Sequence, residues 1–136
     1  MTQPFGCARS DSMDFAFTRE QLMFKKEVIN FARKEIVPRV QEHDLNSEFD
    51  FESFRKMGDF GILGLHFPEE LGGGGADVIT TVLAGEALGE AGVDGGLTLA
   101  YGAHTFLCAD TIFRHSTETQ RKKYIPRLAS AEILIF

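Results

Sequence analysis

The stretch GGLTLAYGAHTFLCADTIF, residues 95–113, constrains this chain more than any other. From Gly95 to Ala109 it holds no Asp, Glu, Lys or Arg. Apolar side chains fall on every face of a helix drawn through it, with the small Ala100, Gly102 and Ala103 between larger neighbours. Such a helix belongs inside a bundle, because no face of it is suited to water. The small residues either allow another helix to approach closely or leave a slot for something else. The run falls short of the ~18 apolar residues that mark a membrane span, so protein must surround it.

The remaining chain offers the helices to do so. Thr18-Arg19-Glu20-Gln21 is a capping box, with Phe17 and Leu22 placed for a hydrophobic staple. Phe24, Val28, Phe31, Ala32 and Ile36 follow at three- and four-residue spacing until Pro38 ends or kinks the helix. A second helix starts near Asp50, buries Phe51, Phe54, Met57 and Gly58, and stops at Gly61. Asp77 caps a third, with Val78, Ile79, Val82, Leu83 and Ala87 expected to face inward. Its Gly85 and Gly89 each cost ~1 kcal/mol of propensity, which close packing is expected to offset. The uncharged stretch is the fourth helix. Thr117-Glu118-Thr119-Gln120 opens a fifth, in which Pro126 starts a fresh turn. Five helices and no convincing strand predict an all-α helical bundle over residues 14–131, after a disordered tail over 1–13. Only the closing EILIF looks β-like, and an unpaired strand there would be an exposed edge; 132–136 is read as the start of a truncated β domain.

Composition removes several function classes. The 136 residues suffice for one domain, and 43% hydrophobic residues suffice for its core. A net charge of −6 leaves no basic stripe for nucleic acid. The N-terminus lacks the apolar core of a secretory signal, so the chain is not expected to be secreted. Cys7 and Cys108 read as free thiols of a reducing compartment, with a Cys7–Cys108 disulfide as the lesser alternative.

Candidate chemistry is sparse. GGGGADV lacks the Lys and Ser/Thr of a phosphate-binding P-loop and the spacing of a dinucleotide fingerprint; a mobile connector fits better. Glu69 and Glu70 are adjacent, so an extended backbone points them apart, as in a solvated turn after Pro68. His43, His66, His104 and His115 have no metal-site spacing. His104 reads as a hydrogen-bonding core histidine, Cys108 as a small apolar filler, and Arg121-Lys122-Lys123 as a solvated face.

Four stretches, taken in order, resemble the N-terminal helical domain of the acyl-CoA dehydrogenases: FTREQLMFKKEVINFARKEIVPRV, FRKMGDFGILGLHFPEELGG, LAGEALGEAGVDGGLTLAYGAHTF and ETQRKKYIPRLASAE. The resemblance covers Met13 to about Glu132. It implies a helical bundle followed by a β domain and a second helical bundle, with FAD between them. It also implies α,β-desaturation of an acyl-CoA thioester, as in fatty acid or amino acid catabolism. A glutamate of the last domain takes the α-proton and the β-hydride passes to the flavin. Neither that glutamate nor the family's flavin-contacting motif has a matching position here, so no catalytic or cofactor-binding residue carries over, and this stretch alone is expected to be inactive and to bind no FAD. Ala131 stands where the family usually has Gly.

One site does carry over. By position in the family, Thr98, Leu99, Gly102 and Phe106 would line the far end of the acyl-chain cavity. Gly102 would leave room, and Phe106 or Tyr101 would limit chain length. The resemblance further implies a flavin-linked electron acceptor, homo-oligomerisation of the full-length protein, and a bacterial cytoplasmic or mitochondrial matrix location. Two alternatives fit the same residues: a non-catalytic helical interaction module, and the same domain of an acyl-CoA oxidase or related flavin monooxygenase.

Overall fold

The computed structural model describes residues 16–135, and every contact below is among them. The tail assigned to 1–13, Cys7 and Phe136 lie outside that range. The helices are α1 (Arg19–Glu35), α2 (Val37–Asn46), α3 (Phe51–Phe60), α4 (Val78–Ala91), α5 (Gly95–Gly102), α6 (Asp110–His115) and α7 (Glu118–Ala129). A π-helical stretch, Ala103–Ala109, joins α5 to α6 without a break, making one rod over residues 95–115. Short 3-10 turns at Ile62–Gly64 and Glu69–Leu71 lie between α3 and α4. No strand occurs among the described residues, so the all-α bundle predicted from sequence is the observed fold.

Helix starts follow local chemistry. Thr18 and Thr117 each accept from the N–H three residues on, and Gln21 and Gln120 return the bond, closing both capping boxes. Asp50, Asp77 and Asp94 cap α3, α4 and α5 in the same acceptor role. Phe17 and Leu22 stay 44% and 52% exposed, so the staple buries little. Pro38 sits in the first turn of α2, where its missing N–H costs nothing, and the chain bends at Ile36 and continues helically to Asn46. That extra helix is why the expected five helices become six rods, the joined rod over 95–115 standing for the one fourth helix expected.

Two apolar clusters form the core. The larger gathers Val28, Ile36, Phe54, Met57, Leu63, Leu88 and Leu97; the smaller gathers Phe67, Ile125, Leu128 and Ala129. α1 lies along α4, and Lys25 reaches Glu86 and Glu90 at 2.8 Å each. The inward face expected for α4 is wrong in part: Val78, Ile79 and Val82 are 53–56% exposed, while Thr81, Leu83, Ala84, Ala87 and Leu88 are buried. α4 is apolar on both sides, so small side chains decide which one neighbours approach. Gly85 shows the mechanism, since a Cβ there would lie 3.2 Å from the Tyr101 ring. Gly89 has no such compensation, with nothing within 4 Å.

The end of α7 meets α3 at a seam with no spare volume. A Cβ on Gly58 would lie 2.7 Å from Ala131 Cβ and 2.8 Å from the Ser130 carbonyl; one on Gly64 would lie 2.6 Å from Ala129 Cβ. Ala131 takes φ 58°, a left-handed conformation that favours glycine. Residues 132–135 do not form the unpaired edge expected of them. The Ile133 N–H donates to the Arg127 carbonyl and Leu134 packs on the larger core.

Asp50 fastens α2 to α3. It is 6% exposed, accepts from Arg39 Nε at 2.8 Å and Nη2 at 3.2 Å, and takes the Ser53 N–H and hydroxyl. Burial alone would raise its pKa, but the Arg39 and Ser53 hydrogen bonds prevail and hold it at about 2.

Two outcomes follow from this packing. Gly58→Ala is expected to destabilise the chain by about 1–3 kcal/mol in denaturant unfolding. Adding Ala131→Gly should restore only part of that, because the Ser130 backbone still obstructs the new methyl. Because the Asp50 pKa is lowered by folding, its contribution is complete above about 4 and is lost as pH falls towards 2. Stability should therefore drop by about 2 kcal/mol across that window from this group, and the drop should be absent in Asp50→Asn.

Candidate functional site

The rod buries one side only. Leu97, Ala100, Tyr101, His104, Thr105 and Ala109 face the core, whereas Leu99 and Leu107 are 73% and 71% exposed. An all-round apolar segment placed wholly inside the bundle is therefore not what the chain builds. The segment lies at the margin of the bundle, with Leu99 and Leu107 open on its outer side among the described residues. Of the four residues carried over to an acyl-chain wall, Leu99 is on the exposed side, and Gly102 and Phe106 are half-buried next to it. Thr98 is also half-buried, but its hydroxyl is enclosed and has no partner. Leu107 belongs to the same open side and was not anticipated. Tyr101 leaves the set. It is 1% exposed, and its hydroxyl donates to the Thr81 carbonyl at 2.8 Å, so it cannot limit a ligand on the outer side.

The π segment sets this arrangement. Asp110 N–H donates to Thr105 O, five residues back, which adds one residue to the turn. The buried series after Tyr101 then runs His104, Thr105, Ala109 instead of falling on Cys108. Cys108 is consequently a half-buried free thiol. Single π turns often occur where a helix contributes to a site.

Below Phe106 lies a pair that sequence reasoning passed over. His66 stacks on Phe106, with ring centroids 6.1 Å apart, and its Nε2 lies 3.3 Å from Asp110 Oδ1 without hydrogen-bond alignment. Burial lowers the His66 pKa, and Asp110 pulls it partly back. Asp110 is held in turn by Arg114 Nε at 2.6 Å. The residues are 44 apart in sequence, and no local spacing announces the contact. Among the described residues, no group of three His, Cys, Asp or Glu could hold a metal ion.

The glycine run is not a mobile connector. The N–H groups of Gly72, Gly73, Gly74, Gly75 and Ala76 donate to the carbonyls of Glu69, Pro68, Gly64, Phe67 and Leu65, which folds the loop onto the preceding turn. All five amides are thus occupied, and none is left to cradle a phosphate. Glu69 and Glu70 are exposed, as a solvated turn requires. His104 is the core histidine expected, within 2.9 Å of the Leu128 carbonyl.

An α-helical domain with one apolar rod left open on its outer side is the class these features define. A family model described as "Acyl-CoA dehydrogenase, N-terminal domain" matches residues 18–132, and the chain belongs to that family of flavoprotein oxidoreductases. It is 41% identical over 120 residues to the short-chain-specific acyl-CoA dehydrogenase of Clostridium acetobutylicum, covering 88% of this chain and 31% of that one. It is 37% identical over 132 residues to the mitochondrial isovaleryl-CoA dehydrogenase of Solanum tuberosum, covering 96% and 31%. Among solved structures it matches an acyl-CoA dehydrogenase complexed with FAD from Bacillus anthracis, with TM-score 0.78 and 33% identity over 87% of this chain and 20% of that one. The chain thus spans about a third of the length of the curated relatives it matches. No helix among the described residues is long and apolar enough to cross a membrane.

Gly102 provides a check on the open side. A Cβ there meets nothing within 4 Å. Gly102→Ala should raise stability by roughly 0.5–1 kcal/mol in thermal or denaturant unfolding, as expected for an unobstructed helical glycine.

Proposed function

We propose that this chain is the N-terminal domain of an FAD-dependent enzyme that desaturates acyl-CoA thioesters between their α and β carbons. Its role is to form one wall of the acyl pocket with Thr98, Leu99, Gly102 and Phe106, joined by Leu107. The observation that carries this reading is the open apolar side of the rod. Covering it with a hydrocarbon chain and the rest of the enzyme removes Leu99 and Leu107 from water, at about 25 cal/mol per Å² of apolar area. The similarity to short-chain and isovaleryl-CoA dehydrogenases favours short straight or branched acyl groups.

The fit to FAD is different. Between Leu99 and Leu107 the rod has no charged side chain, and the glycine-loop amides are occupied, so neither offers a hold for a pyrophosphate. FAD supplies the oxidant when bound in the full-length enzyme, and we assign no residue of this chain to holding it. The work of this domain is to bind and align the acyl chain and to exclude water from it. Electrons leave through a flavin-linked acceptor, the full-length enzyme is a homo-oligomer, and its compartment is a bacterial cytoplasm or the mitochondrial matrix.

The test is anaerobic mixing of the flavin-loaded full-length protein with acyl-CoA thioesters of graded length and branching. Short or branched substrates should bleach the flavin absorbance, and no bleaching with any of them refutes the reading. Gly102→Val should lower kcat/KM by at least about tenfold for the longest accepted chain and less for shorter ones, the scale of one misfitted methylene in an apolar pocket. The 136-residue chain alone should retain no flavin on gel filtration and show no turnover.

A further inference from the structure

His104 holds two backbone groups of opposite character. It is fully buried, its Nε2 lies 2.9 Å from the Leu128 carbonyl, and its Nδ1 lies 3.3 Å from the Ile135 N–H. A carbonyl can only accept, so Nε2 carries the proton; a backbone N–H can only donate, so Nδ1 is bare. The tautomer is fixed by its neighbours. A single neutral ring therefore ties the π segment of the rod to α7 and to residues 132–135.

We propose that His104 is a proton-operated latch on Ile135: the neutral ring holds the Ile135 N–H against the rod, and the protonated ring releases it, while Ile133 stays bonded to α7. Protonation places a second N–H on Nδ1, facing the N–H of Ile135. Two donors then oppose each other at 3.3 Å on a ring that is itself fully buried, and one must leave. Ile135 is the one free to move, being 37% exposed, while Leu128 is locked in α7 and fully buried.

Among the described residues, no charged side chain acts on the His104 ring. From α3 the ring meets the edge of Phe54, at 5.3 Å between centroids; the acid that caps that helix, Asp50, is committed to Arg39 and Ser53. From α7, Arg127 pairs with Glu132 of the segment itself at 2.8 Å. On the rod, the Tyr101 hydroxyl is bonded to Thr81, Asp110 to Arg114, and Cys108 is a half-buried thiol. Burial pushes the His104 pKa below its ordinary 6.5, and no charged side chain contributes. Because folding lowers this pKa, the latch is at full strength above about 6.5 and weakens as pH falls.

Ile133 provides an internal control. Its N–H donates to the Arg127 carbonyl at 3.1 Å, a bond that no titration of His104 touches. The experiment is hydrogen exchange by NMR on the isotopically labelled chain from pH 8 to 5, with the His104 ring nitrogens followed in the same samples. The Ile135 protection factor should fall about tenfold per pH unit below about 6.5 until His104 titrates, while that of Ile133 stays constant. His104→Asn offers an oxygen near the place of Nδ1 that does not titrate, and Ile135 protection should then be independent of pH. Constant Ile135 protection across the His104 titration overturns the proposal. So does simultaneous loss at Ile133 and Ile135, which marks general unfolding, or a pH-dependent Ile135 in His104→Asn. If that variant does not fold, the two amides of the unsubstituted chain decide the matter.

Discussion

The seam between the end of α7 and residues 58–64, the end of α3 and the 3-10 turn after it, governs the rest of the molecule. At Gly58 and Gly64 the neighbouring backbone and the Ala129 and Ala131 methyls come so close that a single added carbon finds no place. That proximity fixes the height of α7, and α7 carries the Leu128 carbonyl that receives His104. The rod is thereby held from one side by α7 and from another by Tyr101, whose ring lies over Gly85 of α4. Three contacts made possible by absent side chains thus orient one helix. Interiors packed at crystal-like density transmit such constraints with little give.

What was legible in the sequence is what short-range chemistry decides. The caps at Thr18, Asp50, Asp77 and Thr117 each need only a side-chain oxygen and an N–H three residues away, and all four are formed. The Gly61 stop is likewise local, a left-handed residue at φ 90°. The inward face of α4 was misread because period alone cannot choose between two apolar sides. Val78, Ile79 and Val82 satisfy the hydrophobic pattern as well as Leu83 and Ala87 do, and the close approach at Gly85 selects the latter. The glycine run was misread for the opposite reason. Four glycines suggest freedom when seen alone, but the carbonyls that bind their amides lie on residues 64–69, and composition does not show that pairing.

The candidate site shows the same division. Leu99, Gly102 and Phe106 were readable as neighbours on one side because they keep helical spacing. Tyr101 was misassigned because its hydroxyl partner, Thr81, lies 20 residues away on α4. The π turn changes the register after His104, so that Leu107 joins the open side and Ala109 takes the buried place. No residue in Ala103–Ala109 encodes a π turn by type. The His66–Asp110 contact was likewise invisible, since it forms only once the 62–67 turn has docked on the rod.

An apolar side left in water is a cost that a fold ordinarily removes by turning the helix. Here the helix cannot turn. Rotating the rod to bury Leu99 and Leu107 would expose Tyr101 and His104, whose polar atoms are matched to the Thr81 and Leu128 carbonyls. It would give up both of these buried hydrogen bonds, at roughly 0.5–1.5 kcal/mol each, although the Leu128 carbonyl keeps the Ala131 N–H. Burial of the two leucines would return about 1.5–3 kcal/mol each, but the same rotation would expose Leu97 and Tyr101, which cancels that gain, and would undo the packing at Gly85. The inward hydrogen bonds therefore hold the outward face in place. That orientation is set before anything covers the face, and on the function proposed above a preset wall lowers the cost of ordering a flexible acyl chain.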